Sequence, residues 1–163
     1  MAEQTGAQTN DSQRQFHIQK LYIKDASLET PNSPAVFREQ WQPDVSVQLG
    51  NTARLLAENV HEIVTTVTVT AKVGEKTAYL VEVQQAGIFT IAGFAEGELG
   101  PMIGSYCPTI LFPFAREAVT DLVVKAGFPP LFLAPINFEA IYAQQQQQLR
   151  TERQGKQDES GVH

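Results

Sequence analysis

The stretch Val60–Val73, VHEIVTTVTVTAKV, decides the fold, because apolar and polar side chains alternate along it. Five residues of one parity are apolar and mostly β-branched: Ile63, Val67, Val69, Ala71 and Val73. The residues between them from Glu62 onward are mostly threonine or charged. A period of two in β-branched residues predicts a strand with one packed face.

The neighbouring segments extend this strand into a sheet. After the turn at Gly74–Lys76, the segment Thr77–Phe89 alternates again, which predicts the second arm of a long antiparallel hairpin. Phe16–Glu29 and Pro43–Leu49 are predicted to add two further strands. The crossover between those two is rich in proline, so we expect it to be ordered and non-repetitive.

Helices are predicted only after the strands. Pro113 suits the first turn of a helix that opens at Phe112, and Gly127 suits a left-handed residue that ends it. Asn137 suits the N-cap of a second helix. Strands followed by helices indicate an α+β fold, a four-stranded antiparallel sheet with helices packed on one side.

The chain is expected to form one domain over residues 15–149, flanked by disordered tails over residues 1–14 and 150–163. Both tails are polar and bury too little surface to offset their ordering entropy. The single cysteine favours a reducing compartment. The polar N-terminus lacks the apolar core of a signal peptide, and no apolar stretch is long enough to insert into a membrane. We therefore expect a soluble, cytoplasmic protein.

Composition and motifs argue against catalysis and against a nucleic-acid partner. Eighteen acidic and twelve basic residues leave a net charge of −6, which disfavours DNA, RNA or an anionic membrane surface as the main partner. Neither nucleotide-binding glycine motif is present, and no histidine or cysteine spacing frames a metal, so no cofactor is expected. Cys107 is interpreted as a buried structural thiol, because a nucleophile would need a histidine and an electropositive environment.

Two features of the sequence each have two interpretations. Residues 25–98 hold ten acidic and four basic side chains, which equals the whole excess of negative charge. This acidic region is either a solvated face that maintains solubility or a docking surface for a basic partner. Apolar and aromatic residues also stand in segments predicted to be irregular, where they either cap the core or line a groove for extended peptide. They are Phe37, Trp41, Tyr106, Phe112, Phe114, Phe128, Leu131 and Phe132.

Four sequence blocks, in this order, resemble the SecB family of bacterial protein-export chaperones. They are Trp41–Pro43, Val83–Phe89, Tyr106–Glu117 and Leu133–Phe138. The resemblance implies a homotetramer, a dimer of dimers with helices between sheets. It also implies an ATP-independent holdase without a cofactor, which keeps precursor proteins unfolded and delivers them to the SecA motor ATPase.

The resemblance further implies roles for individual residues. Four match the acidic sheet positions that receive a basic, zinc-bearing tail of SecA, the zinc belonging to SecA: Asp25, Glu29, Leu80 and Glu82. Three match positions that affect subunit association: Val81, Val83 and Gln85. Five of the aromatic residues above fall where the family builds its client groove: Phe37, Trp41, Phe112, Phe114 and Phe132. Tyr106, Phe128 and Leu131 are predicted to line the same groove. An α+β enzyme or small-ligand carrier, and a chaperone dedicated to a toxin–antitoxin client, remain as alternatives.

Overall fold

The computed structural model describes residues 13–160, without the side chains of residues 158–160. Four strands precede three α-helices in this range: β1 Gln15–Glu29, β2 Asp44–Ala57, β3 Val60–Val73, β4 Lys76–Ala92, α1 Glu96–Pro101, α2 Cys107–Lys125 and α3 Phe138–Ser160. A short 3-10 helix, Ala35–Arg38, lies between β1 and β2. The strands form one antiparallel sheet in the order β1-β4-β3-β2. The predicted α+β architecture is confirmed. The N-terminal tail expected over residues 1–14 lies almost wholly outside the described residues.

The core lies between the central hairpin and α2. Ile63, Val67, Val69 and Ala71 of β3 are fully buried on one face of the sheet, as the alternation predicts. Side chains of α2 such as Val119 pack against that face. We call the face covered by α2 the inner face and the opposite one the outer face.

The helix α2 begins earlier than its proline suggested. The prediction that it opens at Phe112 is wrong, because α2 starts at Cys107 and Pro113 lies inside it. A π-helical segment, Met102–Tyr106, joins it to α1. An interior proline removes one backbone hydrogen bond, and the apolar stripe of α2, which continues on both sides of Pro113, offsets that loss by packing on the sheet. The predicted cap at Gly127 is confirmed, with φ at +93°.

The helix α3 is longer than the sequence suggested. It continues to Ser160, so residues 150–160 are helical where a disordered tail was expected from residue 150. Its last described side chains are exposed. Glutamine, arginine, glutamate and lysine are good helix formers, so local propensity extends the helix beyond the part that packs on the domain.

Two bulges interrupt the edge strand β1. Ile18 and Lys20 pair with neighbouring β4 residues, as do Ile23 and Asp25, so Gln19 and Lys24 are each one extra residue. The bulges divide β1 into three parts, and each part has two apolar residues that face inward: Phe16 and Ile18, Leu21 and Ile23, Ala26 and Leu28. The spacing of two within a pair and three between pairs is the sequence signature of the two bulges.

Candidate functional site

The four residues matched to the SecA-binding positions lie together on the outer face. Glu29 pairs directly with Leu80, and Asp25 pairs with Gln84, which is two residues beyond Glu82 on the same face. Directly opposed residues of antiparallel strands are close neighbours. We call the four residues Asp25, Glu29, Leu80 and Glu82 the acidic surface. Its central carboxylate, on Glu82, accepts a hydrogen bond of 2.8 Å from the Thr68 hydroxyl.

The three residues matched to subunit association lie on the inner face instead. Val81 and Val83 are fully buried, and Gln85 is 4% exposed. Val81 and Val83 belong to the cluster that includes the apolar side of α2. Because their side chains are buried within the subunit, they do not contact a second subunit directly. Any effect of these residues on association is indirect, through the position of the elements packed on them.

Four aromatic rings form a cluster at the turn end of the central hairpin. The Phe128 ring lies 4.9 Å from Phe37, 5.4 Å from Trp41 and 5.1 Å from Tyr79, centroid to centroid. Trp41 also stacks on Tyr79, at 6.4 Å. Phe128 and Tyr79 are buried, whereas Phe37 is 48% exposed. Tyr79 was not among the predicted site residues, although its inward parity on β4 was the signal that could have found it.

The segment between α2 and α3 adds two apolar residues beside this cluster. The Leu131 carbonyl accepts a hydrogen bond of 2.6 Å from the Thr120 hydroxyl, which ties the segment to α2. Leu131 packs against the core, and Phe132 is 76% exposed. Phe132 lines a shallow hollow with residues of α2, among them Val124. We call Phe37, Trp41, Leu131 and Phe132 the aromatic surface.

The other predicted groove residues lie elsewhere. Phe112 is a buried residue of α2, and its ring lies 5.7 Å from that of Phe138. Phe128 is buried beneath the rings of the aromatic surface. Neither residue lines an open groove. Phe114 is exposed on α2. Tyr106 lies in the π-helical segment, in edge contact with Phe16. The expectation that Tyr106, Phe112 and Phe114 stand in irregular chain is wrong, because the helical region starts well before Pro113.

A second cavity lies between the π-helical segment and α3. Its volume is about 1210 Å³, and Met102, Tyr106 and Tyr142 contribute to its walls. The Tyr142 ring lies in a notch formed by two glycines, where a Cβ atom would come within 2.6 Å of the ring's hydroxyl at Gly100 and 2.4 Å of ring carbon at Gly104. This contact was not predicted from the sequence, although two glycines four residues apart were a signal for it.

One buried carboxylate lies on the outer face beyond the Asp25 end of the acidic surface. Glu62 accepts hydrogen bonds from the Lys24 ammonium at 2.7 Å, from the Arg54 guanidinium at 3.3 Å and from the Tyr22 hydroxyl. The pKa of Glu62 is lowered from its ordinary value of 4.5, chiefly by the Lys24 hydrogen bond and then by that of Tyr22. Burial, followed by the contact with Glu62, raises the pKa of Tyr22 to about 12.

This carboxylate makes a pH-dependent contribution to stability. Because its pKa is lower in the folded chain, the contribution is complete above pH 4.5 and is lost as the pH falls below that value. We expect Glu62→Gln to lower the free energy of unfolding by about 1.5–3 kcal/mol at pH 7 and by much less near pH 3. Urea unfolding at fixed chain concentration measures this difference. Glu75→Gln, in an exposed turn, is the control, and a difference for Glu62→Gln that stays constant from pH 7 to pH 3 would contradict the assignment.

The single thiol is not placed for nucleophilic chemistry. Cys107 is fully buried, and burial raises its pKa to about 12, so it is protonated at neutral pH. Within residues 13–160, no group of three histidine, cysteine or acidic side chains could hold a metal ion. No helix in the same range is long and apolar enough to cross a membrane.

The acidic surface and the aromatic surface thus lie on opposite faces of an α+β sheet, and exposed aromatic side chains are typical of proteins that bind other polypeptides. The family described as "Preprotein translocase subunit SecB" matches residues 9–149. The chain therefore belongs to the SecB family of protein-export chaperones.

Close relatives cover nearly the whole chain. The Protein-export protein SecB of Nitrosococcus oceani is 60% identical over 156 residues, which cover 93% of this chain and 95% of the relative. That of Methylococcus capsulatus is 61% identical over 142 residues, covering 87% and 92%. The Legionella pneumophila protein of the same name is 49% identical over the full length of both chains.

One solved structure has the same fold at low sequence identity. A SecB-like chaperone of Mycobacterium tuberculosis, in complex with a ChAD peptide from an antitoxin, superposes with a TM-score of 0.62 at 14% identity. The match covers 74% of this chain and 90% of that one. It supports the sheet-and-helix architecture.

Proposed function

We propose that this chain is an ATP-independent holdase of the cytoplasm, which binds unfolded precursor proteins and delivers them to SecA. The observation that carries the proposal is the exposure of Phe132 and Phe37 beside the partly buried Trp41. Large aromatic side chains that are exposed on a rigid support are typical of an interaction site.

Client capture follows from the chemistry of the aromatic surface. An unfolded precursor exposes apolar segments, and burying them against Trp41 and Phe132 removes apolar area from water, at about 25 cal/mol for each Å². A protein that binds only the unfolded chain withdraws it from folding by mass action. Because each contact is small, several such surfaces on one assembly would hold a long client through effective concentration.

Partner docking is assigned to the acidic surface. The carboxylates of Asp25, Glu29 and Glu82 would attract a basic segment of SecA, and the apolar side chain of Leu80 would pack against it. The zinc in that segment belongs to SecA. Because the two surfaces lie on opposite faces of the sheet, client and SecA could be bound at the same time.

A homotetramer accounts for the apolar residues that α2 leaves uncovered. On the inner face, Ile23 of β1 is 53% exposed and Leu55 of β2 is 63% exposed. The helix α2 packs mainly on the two central strands, and these two residues of the edge strands stay largely exposed within residues 13–160. Association of copies through their helical sides would bury these residues and place Val81, Val83 and Gln85 close to the interface.

The proposal is tested by measuring chaperone action and assembly together. The purified chain is expected to suppress aggregation of a denatured precursor without nucleotide and to remain with it as a complex in size exclusion with light scattering. The chain alone should have the mass of a tetramer. Aggregation that proceeds unchanged at a molar excess of the chain would refute the holdase assignment, whatever the oligomeric state.

A further inference from the structure

We infer that the bulge at Lys24 turns the β1 carboxylates outward, and that Lys24 and Gln85 are the positioning residues of the acidic surface. The inference deepens the proposed function, since it assumes that this surface receives SecA. It concerns two residues that do not themselves belong to the surface. Lys24 is the extra residue of the bulge, and Gln85 lies on the inner face beneath it.

The bulge at Lys24 changes the face to which the following β1 side chains point. Ile23 faces inward opposite Gln85, so in a regular strand Asp25 would also face inward. The extra residue shifts the parity, and Asp25 and Glu29 therefore face outward, in line with Gln84 and Leu80. A slip of one residue moves every later side chain to the other face. Without the bulge both carboxylates would point to the helical side.

Contacts on both faces hold the bulge in place. From below, the Gln85 side-chain amide donates a hydrogen bond of 3.2 Å to the Tyr22 carbonyl, next to the bulge. From above, the Glu62 carboxylate accepts hydrogen bonds from the Lys24 ammonium, at 2.7 Å, and from the Tyr22 hydroxyl. We call these contacts the bulge clamp. Glu62 and Gln85 are both buried, so solvent does not compete freely for them.

The test uses substitutions for which the clamp and simple electrostatics predict opposite results. Lys24→Met removes a cation close to the acidic surface, which on charge alone should tighten binding of a basic partner. If the clamp positions the surface, the same change should weaken binding by about fivefold or more. Gln85→Leu leaves the charge unchanged and is expected to weaken binding to a similar extent.

Two matched controls separate the clamp from general damage. Lys20→Met removes the same charge from the same strand and outer face, outside the clamp. Thr65 pairs directly with Gln85 on the inner face, and Thr65→Val removes its own buried hydrogen bond, the 2.7 Å bond to Asn51, while leaving every hydrogen bond of the clamp in place. Neither control is expected to weaken SecA binding, and both report what loss of charge or of a buried bond does by itself.

Two measurements are made on preparations that light scattering shows to have the same mass as the unsubstituted chain, because Gln85 also matches a position that affects subunit association. Hydrogen exchange of the segment from Lys20 to Glu29 reports the clamp directly and does not involve SecA; it is expected to be faster in Lys24→Met and Gln85→Leu than in the controls. Calorimetric titration with SecA reports the effect on binding. In a background that carries both Asp25→Asn and Glu29→Gln, the clamp substitutions should have little further effect, because they act through those carboxylates.

The outcomes that overturn the inference are distinct from failure of the proposed function. Unchanged exchange in both clamp variants refutes the clamp. If both clamp variants exchange faster but bind SecA as tightly as the unsubstituted chain or more tightly, the positioning role is refuted. It is also refuted if the clamp substitutions weaken SecA binding just as much in the background that carries Asp25→Asn and Glu29→Gln. If the unsubstituted chain does not bind SecA at all, the proposed function fails, and the exchange measurement still decides whether the clamp exists.

Discussion

Glu82→Lys is expected to weaken binding of SecA by about 2–4 kcal/mol, roughly 30- to 1,000-fold, because it places a cation at the centre of the acidic surface. Its close neighbour across the sheet is Ser27, which Asp25 and Glu29 flank on the same face of β1. The loss should be largest at low ionic strength, since salt screens exposed charges over about 10 Å at 0.1 M. Titration calorimetry at two salt concentrations measures it.

Two control variants isolate the charge at this position. Glu75→Lys makes the same change of charge in the exposed turn between β3 and β4, and it should alter binding only slightly. Thr68→Val removes the hydrogen bond that Glu82 accepts without changing any charge. If Glu82→Lys binds SecA as tightly as Glu75→Lys does, the outer face is not the docking surface.

Removal of two rings from the aromatic surface is expected to have the second large effect. Trp41→Ala combined with Phe132→Ala should weaken binding of a denatured precursor by about 10- to 100-fold, the loss typical when aromatic anchors are truncated. SecA binding should be unchanged, because both rings lie on the opposite side of the sheet from Glu82. Aggregation suppression and SecA titration, made on the same preparations, compare the two losses.

The two single substitutions show whether a loss of binding comes from a loss of stability. Phe132 is mostly exposed, so Phe132→Ala should leave the unfolding midpoint almost unchanged, whereas Trp41 supports Phe128 and Tyr79 and its loss will cost some stability. Leu149→Ala removes an exposed apolar side chain near the polar end of α3 and serves as the control. If the double variant loses precursor binding and SecA binding equally, the assignment of precursor to the aromatic surface and of SecA to the acidic surface is wrong.

Local sequence patterns predicted most of the sheet correctly. The alternation along β3 and the glycine turn at Gly74 are properties of neighbouring residues, and they gave the hairpin and its buried face. The start of α2 was predicted wrongly, because proline at position 113 was interpreted as a first-turn residue. The preference of proline for the first turn of a helix is a local property. It does not include the stabilisation that a whole helix gains by packing on the sheet, which here exceeds the cost of one lost hydrogen bond.

The candidate site could be predicted only in part. The outward parity of Leu80 and Glu82 follows from the alternation of β4, and their nearness to Glu29 follows from the pairing of β1 with β4. The ring contacts between Phe37 and Phe128 could not be predicted, since these residues come from two segments that meet only in the folded chain. The hydrogen bonds that Glu62 accepts from Tyr22 and Lys24 join strands far apart in sequence and had no local signal.

The sequence by itself determined the order and type of the main strands and helices, because the period of two in β3 and β4 and the apolar stripe of α2 act between residues that are close along the chain. Only the tertiary structure decided which side chains share a surface. The register of β1 against β4 depends on two extra residues and on hydrogen bonds across the sheet, and it places Asp25 and Glu29 on either side of the position opposite Glu82. Such contacts are formed between strands, so no single segment specifies them.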